Sequence, residues 1–215
     1  MNRQTIVGMG GFPGSALVEY VLGLARGRRI LVDGTATPNY DGPPLELPGE
    51  LTHFSFWPWP PENLRELALS HDAILVCGGN TANLLAVWRV HGFDRILREA
   101  WEAGVVLFGW SAGMICWFEA GVTDSFGPQL AGMRDGLGFL PGSACPHYDG
   151  EDLRRPVYCE LVGNGFPPGI ALDDAAAARF DGTELVEVVS SADGSGGYRV
   201  DAAGEGALET RVLTA

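Results

Sequence analysis

Short apolar runs rich in β-branched residues alternate with helical stretches along the first half of the chain. The helical stretches carry apolar side chains at helical spacing or residues that favour helix ends. Such alternation is typical of a mostly parallel sheet covered by helices. It predicts an α/β fold of three layers, with helices on both faces of the sheet. The predicted strands are residues 5–8, 29–32, 73–77 and 105–109, and the predicted helices are residues 15–26, 80–90 and 94–102.

The pattern changes after Pro167-Pro168, where short alternating segments are joined by glycine-rich turns. Residues 183–190 and 197–200 therefore predict antiparallel hairpins near the C-terminus. Residues 35–61, rich in Pro and Gly and carrying aromatic residues, predict a strand flanked by ordered loops. A chain of 215 residues without an internal repeat or a linker indicates one domain, residues 1–215.

Charge and hydropathy exclude several partners. The net charge of −13 would repel a phosphate backbone, so nucleic acid is not expected as a partner. No segment approaches the roughly 18 consecutive apolar residues of a membrane helix, and the N-terminus lacks the pattern of a secretion signal. We therefore expect a cytoplasmic protein that does not bind membranes. Trp57 and Trp59 are candidates for a homodimer contact, or for packing under a loop.

The chain contains no lysine, so all fourteen basic residues are arginine. This excludes a Walker phosphate loop, Schiff-base chemistry and a Ser-Lys hydrolase, since each needs an amine that arginine cannot replace. The four cysteines have no CxxC spacing, which predicts free thiols. No HExxH motif or grouped Cys and His spacing is present, so neither a metal nor an organic cofactor is expected.

One motif carries nucleophilic chemistry: Gly109-Trp110-Ser111-Ala112-Gly113. It follows an apolar strand, and residues 112–120 can continue as a helix, so Ser111 falls in a strand-to-helix turn. The flanking glycines permit a tight backbone there. The Ala112 amide would face the oxygen that becomes charged in an acyl transfer, which makes it a candidate oxyanion donor.

A serine nucleophile needs a base, and without lysine the candidates are four histidines. His71 and His91 are placed at helix ends, and His53 lies in the aromatic segment. His147 lies in the loop Cys145-Pro146-His147-Tyr148-Asp149-Gly150, where proline restricts the backbone before it and glycine allows freedom after it. We therefore select His147. Because it follows Ser111 by only 36 residues, the spacing disfavours an α/β-hydrolase, whose histidine lies near the chain end.

Three motifs in one order resemble peptidase E and its relatives, a family that includes cyanophycinase. They are Cys77-Gly78-Gly79-Asn80-Thr81, the Ser111 motif and Pro146-His147-Tyr148, and the likeness extends over about residues 70–175. The resemblance implies a fold like that of class I glutamine amidotransferases, which is flavodoxin-like. Those amidotransferases use cysteine where Ser111 stands, so an amidotransferase role is disfavoured.

The resemblance also implies roles for further residues. Gly79 would give a second oxyanion amide, and Asn80 would shape its turn at the substrate. Asp174 occupies the position of the family acid, where relatives have Glu, and Asp124 is the alternative acid. Arg154 matches the arginine that binds the aspartate side chain of Asp-X dipeptides.

The sequence thus predicts a serine peptidase for short peptides, with a Ser111–His147–acid triad and an N-terminal Asp-X preference. Two alternatives stay open. One is an amidase or esterase of the same fold, acting on non-peptide or broader peptide substrates. The other is a binding homologue without catalytic activity.

Overall fold

The protein is described by a computed structural model over residues 3–37 and 45–214. Strands and helices alternate up to residue 115, and strands dominate afterwards. In chain order the elements are β1 (Thr5–Met9), α1 (Ser15–Leu22), β2 (Arg29–Asp33), β3 (Glu50–Phe54), α2 (Leu64–Ser70), β4 (Ala73–Val76), α3 (Thr81–His91), α4 (Phe93–Glu102), β5 (Val106–Trp110), α5 (Ala112–Ile115), β6 (Phe118–Thr123), β7 (Ala131–Met133), β8 (Leu140–Cys145), α6 (Arg154–Gly163), β9 (Gly169–Leu172), β10 (Ala176–Asp181), β11 (Glu184–Ser190), β12 (Gly197–Asp201), β13 (Gly204–Ala207) and β14 (Thr210–Val212).

The larger sheet has eight strands in the order β14-β11-β10-β1-β5-β4-β2-β3. The run from β1 to β3 is parallel, and β10 pairs with β1 in the antiparallel direction. β4 is buried at every position, as expected for a parallel strand covered on both faces. The predicted mostly parallel sheet is confirmed. The predicted C-terminal hairpins are also present, as β10–β11 and β12–β13.

Helices cover both faces of this sheet. On one face, Leu17 and Val21 of α1 pack in a cluster that includes Phe108 of β5. On the other face, Leu84 and Trp88 of α3 join a second cluster. The predicted three-layer arrangement is therefore confirmed.

A second sheet has six strands in the order β13-β12-β9-β8-β6-β7. This sheet was not predicted from the sequence. Phe118 of β6 and Leu140 of β8 pack into the same apolar cluster as α3, the helix that covers one face of the larger sheet. The predicted helix over residues 112–120 is wrong, because α5 ends at Ile115 and the chain enters β6 at Phe118.

The bounds of α3 and α4 lie within one residue of the predicted ranges, and only the predicted N-cap of α4 differs. α3 begins as expected, since the Asn80 side chain accepts a hydrogen bond from the Asn83 amide at 2.9 Å. It ends at Gly92, whose φ of 69° lies in the left-handed region that favours glycine. α4 then starts directly at Phe93, so Asp94 lies in its first turn instead of capping it.

The aromatic segment contains the predicted strand, β3, while residues 38–44 of it lie outside the described part of the chain. Phe56 is buried and contacts Phe54 and Phe93 edge to face. Trp57 and Trp59 are 49% and 81% exposed. The Phe56 ring packs in the core. Whether Trp57 and Trp59 form a subunit contact stays a prediction. In the described ranges no helix has the length and hydropathy to cross a membrane.

Strand direction brings the predicted site together. β1, β4 and β5 are parallel, so their carboxyl ends lie at one edge of the larger sheet, where ligands commonly bind in α/β folds. β8 and β9 are parallel neighbours in the second sheet, with Cys145 opposite Ala171. His147 and Asp174 follow the ends of those two strands.

Candidate active site

Ser111 occupies the sharp turn between β5 and α5. Its φ of 56° and ψ of −114° are unusual for a residue with a side chain, and such strained conformations cluster at functional sites. The flanking glycines are required by close contact with the end of β4. A Cβ at Gly109 would lie 2.4 Å from the Val76 carbonyl oxygen, and one at Gly113 would lie 2.1 Å from it. The turn is therefore built tightly against the neighbouring strand.

The Ser111 backbone is anchored on both sides. Its amide donates to the Met9 carbonyl at 3.3 Å, and its own carbonyl accepts from Met114 and Ile115. The Ala112 amide, at the first position of α5, has no acceptor within that helix. Because α5 spans only four residues, the dipole that a longer helix would add at this turn is small.

His147 pairs with Asp174. The two residues follow adjacent parallel strands, and the His147 Nδ1 lies 2.6 Å from the Asp174 Oδ1. The side chains are 20% and 49% exposed. His147 has a φ of 54°, and its amide donates to the Gly10 carbonyl at 3.2 Å. With Nδ1 engaged by the carboxylate, Nε2 is the ring nitrogen left for proton transfer.

Two glycines approach the half-exposed Asp174 side chain closely. A Cβ at Gly150 would lie 2.1 Å from its Oδ2, and a Cβ at Gly11 would lie 2.6 Å from its Oδ1. Its amide donates to the Asp149 carboxylate at 2.8 Å, and its carbonyl accepts from Gly11 at 3.0 Å. The close backbone explains how the short aspartate side chain reaches the histidine.

The loop after β1 connects the three residues. Consecutive carbonyls, those of Met9 and Gly10, accept from Ser111 and His147, and the next amide, that of Gly11, donates to Asp174. A Cβ at Gly10 would lie 2.1 Å from the Asp173 carbonyl oxygen, so a larger residue cannot replace it without a shift. No role was predicted from the sequence for this glycine pair, whose signal is two glycines directly after a buried strand.

The Ser111 hydroxyl makes no hydrogen bond to His147 or to any other residue in the two described ranges. Contacts between a nucleophile and its base are often long before substrate binds and shorten in the complex. Backbone contacts therefore tie both residues to the loop after β1, while the pairing within hydrogen-bond distance is that of His147 and Asp174.

Asp124, the alternative acid, is exposed and lies in a turn closed by a hydrogen bond from Gly127 to its carbonyl. Its neighbour Ser125 makes the contacts with the start of α3. The Ser125 hydroxyl accepts from the Thr81 amide at 2.8 Å, and its carbonyl accepts from the Asn80 side chain at 3.0 Å. This segment supports the start of α3, and the carboxylate that contacts His147 is that of Asp174.

Gly79 and Asn80 follow β4 at the same edge. Gly79 is exposed, with a φ of 134°, and Gly78 lies against Ser111, since a Cβ on it would be 3.2 Å from the Ser111 Cβ. The Asn80 side chain is committed to capping α3 and to Ser125. Asn80 therefore shapes this turn, as expected, and its described contacts are with the protein.

Arg154 is where the structure departs most from the sequence prediction. Its side chain is only 4% exposed, and its Nε donates to Glu151 at 2.6 Å. Its Nη1 donates to the Val122 carbonyl at 2.8 Å. The predicted role of Arg154 in binding a substrate carboxylate finds no support in this geometry. The guanidinium instead joins α6 to β6.

The other histidines have ordinary surroundings. His53 is exposed on the edge strand β3, His71 contacts the Leu67 carbonyl through Nδ1 at 2.7 Å, and His91 stacks on Phe56. All four cysteines are free thiols, as predicted. Within the described ranges, no three His, Cys, Asp or Glu residues are grouped to hold a metal ion.

Cys77, directly before the Gly78-Gly79 turn, is the thiol nearest in sequence to this loop. Burial, with a smaller contribution from the Asp33 charge, raises the pKa of Cys77 to about 12. At pH 8 only about one molecule in ten thousand then carries the reactive thiolate. We expect iodoacetamide at pH 8 to leave the predicted peptide hydrolysis unchanged over an hour. Inactivation that tracks alkylation of Cys77, and that Cys77→Ala prevents, would contradict this description of the site.

Comparison with known proteins identifies the family of the chain. The model of peptidase family S51 matches residues 45–188, a range that includes Ser111, His147 and Asp174. The uncharacterized peptidase YgaJ of Bacillus subtilis (strain 168) is 52% identical over 150 residues, which are 69% of this chain and 64% of that protein. The match thus spans less than two thirds of the length of that relative.

Two solved structures share the fold at low sequence identity. A protein from Listeria monocytogenes EGD-e named as a peptidase E has a TM-score of 0.63 at 17% identity, covering 86% of this chain and 97% of its own. A peptidase from an acI-B1 Actinobacterium has a TM-score of 0.67 at 16% identity, covering 96% and 94%. The family match over most of the chain, the close relative and the shared fold lead to one conclusion: the chain belongs to peptidase family S51.

Proposed function

We propose that the protein is a serine peptidase that cleaves short peptides with Ser111 as nucleophile. The observation that carries this proposal is the strained turn at Ser111, anchored on the same β1 loop as the His147–Asp174 pair. Membership of a peptidase family supports it further. A structural turn alone would not need a side chain at positive φ beside a histidine whose Nδ1 is held by a carboxylate.

In the proposed reaction, His147 Nε2 takes the proton of the Ser111 hydroxyl as its oxygen attacks the peptide carbonyl. Asp174 holds the ring in the tautomer with the proton on Nδ1 and stabilises the imidazolium. The amides of Gly79 and Ala112 donate to the oxyanion. His147 then protonates the leaving amine, and water activated by His147 hydrolyses the acyl-enzyme, which restores Ser111.

We infer that the enzyme does not require an N-terminal aspartate in its substrate. A substrate carboxylate needs a cation with free donors, and Arg154 is buried with donors on Glu151 and Val122. Arg155 is half exposed but is paired with Glu205. Residues 38–44, outside the described ranges, contain no basic residue.

The loop after His147 adds negative charge instead. Its carboxylates belong to the exposed residues Asp149, Glu151 and Asp152, and because Glu151 is paired with Arg154, the net negative charge comes from Asp149 and Asp152. These charges disfavour an acidic side chain on the substrate. The broader peptide specificity left open by the sequence is the one we propose.

A dipeptide panel tests this specificity. We expect kcat/KM for Asp-Leu to be no higher than for Leu-Leu, while Arg-Leu is cleaved at least as well as Asp-Leu. The amount of active enzyme is fixed by titration with a fluorophosphonate, so that the three rates are comparable. A preference of tenfold or more for Asp-Leu over Leu-Leu would overturn the inference and restore aspartyl specificity.

A further inference from the structure

The turn after β2 touches the loop that holds the proposed oxyanion amide. The Thr37 hydroxyl donates to the Gly78 carbonyl at 2.8 Å, and the Asn80 amide donates to the Ala36 carbonyl at 3.0 Å. These two contacts lie on either side of Gly79. The Gly78–Gly79 peptide is therefore held by a side chain from the turn after β2, 41 residues earlier in the sequence.

The Thr37 contact fixes the direction of the Gly79 amide. In a trans peptide the carbonyl and the N–H point in opposite directions, so a Gly78 carbonyl held toward Thr37 turns the Gly79 N–H away from it. In the described ranges no group accepts a hydrogen bond from this N–H. Gly78 lies against Ser111, so the peptide that follows it is beside the proposed nucleophile.

The peptide would rotate easily without this contact. Rotation changes ψ of Gly78 and φ of Gly79, and glycine occupies both sides of the Ramachandran map at little cost. A rotated peptide would present a carbonyl oxygen, instead of an N–H, to the developing charge. Such a change removes one oxyanion donor and adds a repulsive dipole.

The turn that carries Thr37 is itself anchored in the core. The fully buried Asp33 carboxyl accepts from the Thr35 amide at 2.8 Å and from the Trp88 indole at 2.7 Å, and also contacts the Thr35 hydroxyl. The Asp33 carbonyl accepts from the Cys77 amide at 2.9 Å. The turn and the Gly78–Gly79 loop are thus joined as one unit.

We propose that Thr37 is a positioning residue, whose hydroxyl orients the Gly78–Gly79 peptide so that its amide serves the oxyanion. This inference rests on the proposed serine peptidase function. It assigns to Thr37 an effect on the transition state and not on substrate binding, since the hydroxyl acts through the peptide it holds.

The experiment compares Thr37→Val, which is nearly isosteric but lacks the hydroxyl, with Thr37→Ser, which keeps it. We expect Thr37→Val to lower kcat by about ten- to a hundredfold with KM changed less than threefold, below the loss for an oxyanion donor removed outright. Thr37→Ser should stay within threefold of the parent protein. A peptide aldehyde, which forms a tetrahedral adduct, should bind Thr37→Val more weakly by the same factor as kcat falls.

Thr210→Val is the matched control, because it also removes a hydroxyl that donates to a backbone carbonyl, that of Leu208 at 3.1 Å, on β14. It should leave kcat unchanged. If Thr37→Val does not fold, Thr37→Ala removes the same hydroxyl and its comparison with Thr37→Ser carries the same expectation. Equal kcat in Thr37→Val and the parent, or a loss that Thr37→Ser shares, would overturn the role of Thr37.

The two proposals fail differently. If a fluorophosphonate does not modify Ser111 in the parent protein, the serine peptidase function fails, and the role of Thr37 fails with it. If Ser111 is modified in the parent and at the same rate in Thr37→Val, the serine function stands and only the positioning role is lost.

Discussion

Ser111→Ala should lower kcat for dipeptide hydrolysis by a factor on the order of 10⁴ or more, because it removes the attacking oxygen itself. The free energy of unfolding should change by less than about 1 kcal/mol, since the hydroxyl has no hydrogen-bond partner among the described residues and alanine keeps the same backbone constraint. Steady-state hydrolysis and thermal unfolding of the same preparation measure the two effects.

Ser70→Ala provides the control for this substitution. Its hydroxyl donates to the Leu67 carbonyl at the end of α2, which is not part of the proposed site. We expect its kcat to equal that of the parent protein. If Ser111→Ala retained a tenth or more of the parent activity while Ser70→Ala behaved normally, Ser111 would not be the nucleophile.

Asp174→Asn is expected to lower kcat by about 10⁴-fold, comparable to the effect of the same change in a well-characterised serine protease triad. An amide donates a hydrogen bond toward Nδ1 where the carboxylate accepts one. The ring then carries its proton on Nε2, the nitrogen that must take the Ser111 proton. Substrate binding does not depend on this tautomer, so KM should change much less than kcat.

Asp124→Asn tests which of the two candidate acids, Asp174 or Asp124, assists His147. Asp124 is exposed in a turn whose contacts with α3 come from Ser125. We expect Asp124→Asn to keep kcat within threefold of the parent, measured on the same dipeptide as Asp174→Asn. The reverse order, with the large loss at Asp124, would show that the His147–Asp174 contact is not the catalytic pair.

The parallel core of the fold could be predicted from the sequence, and the second sheet could not. A strand buried on both faces is a continuous apolar run closed by glycine, which the segments forming β1, β4 and β5 display. Residues 112–118 are also apolar, and a short apolar run fits a buried helix or a buried strand equally well. The chain enters β6 there because pairing with β8 completes a sheet built from residues farther along the sequence.

The site was readable in part, for a similar reason. Ser111 and His147 stand in motifs whose local residues constrain the backbone, so both were selected from sequence. The choice between Asp174 and Asp124 depended on the register of β8 beside β9, a long-range pairing that no local pattern encodes. The burial of Arg154 could not be predicted because two adjacent arginines look alike in sequence, while one is buried against Val122 and the other is exposed. Thr37 carried no signal, since its partner, the Gly78 carbonyl, lies in a loop 41 residues away in the sequence.

The central claim is that Ser111 provides the reactive oxygen, and covalent labelling tests it most directly. The parent protein is treated with a fluorophosphonate, and the modified residue is located by peptide mass spectrometry. We predict one adduct, on Ser111, with loss of dipeptide hydrolysis in proportion to labelling. Labelling should be absent in Ser111→Ala and strongly slowed in Asp174→Asn. A parent protein that hydrolyses dipeptides while Ser111 stays unmodified, or that loses activity through an adduct elsewhere, would contradict the account.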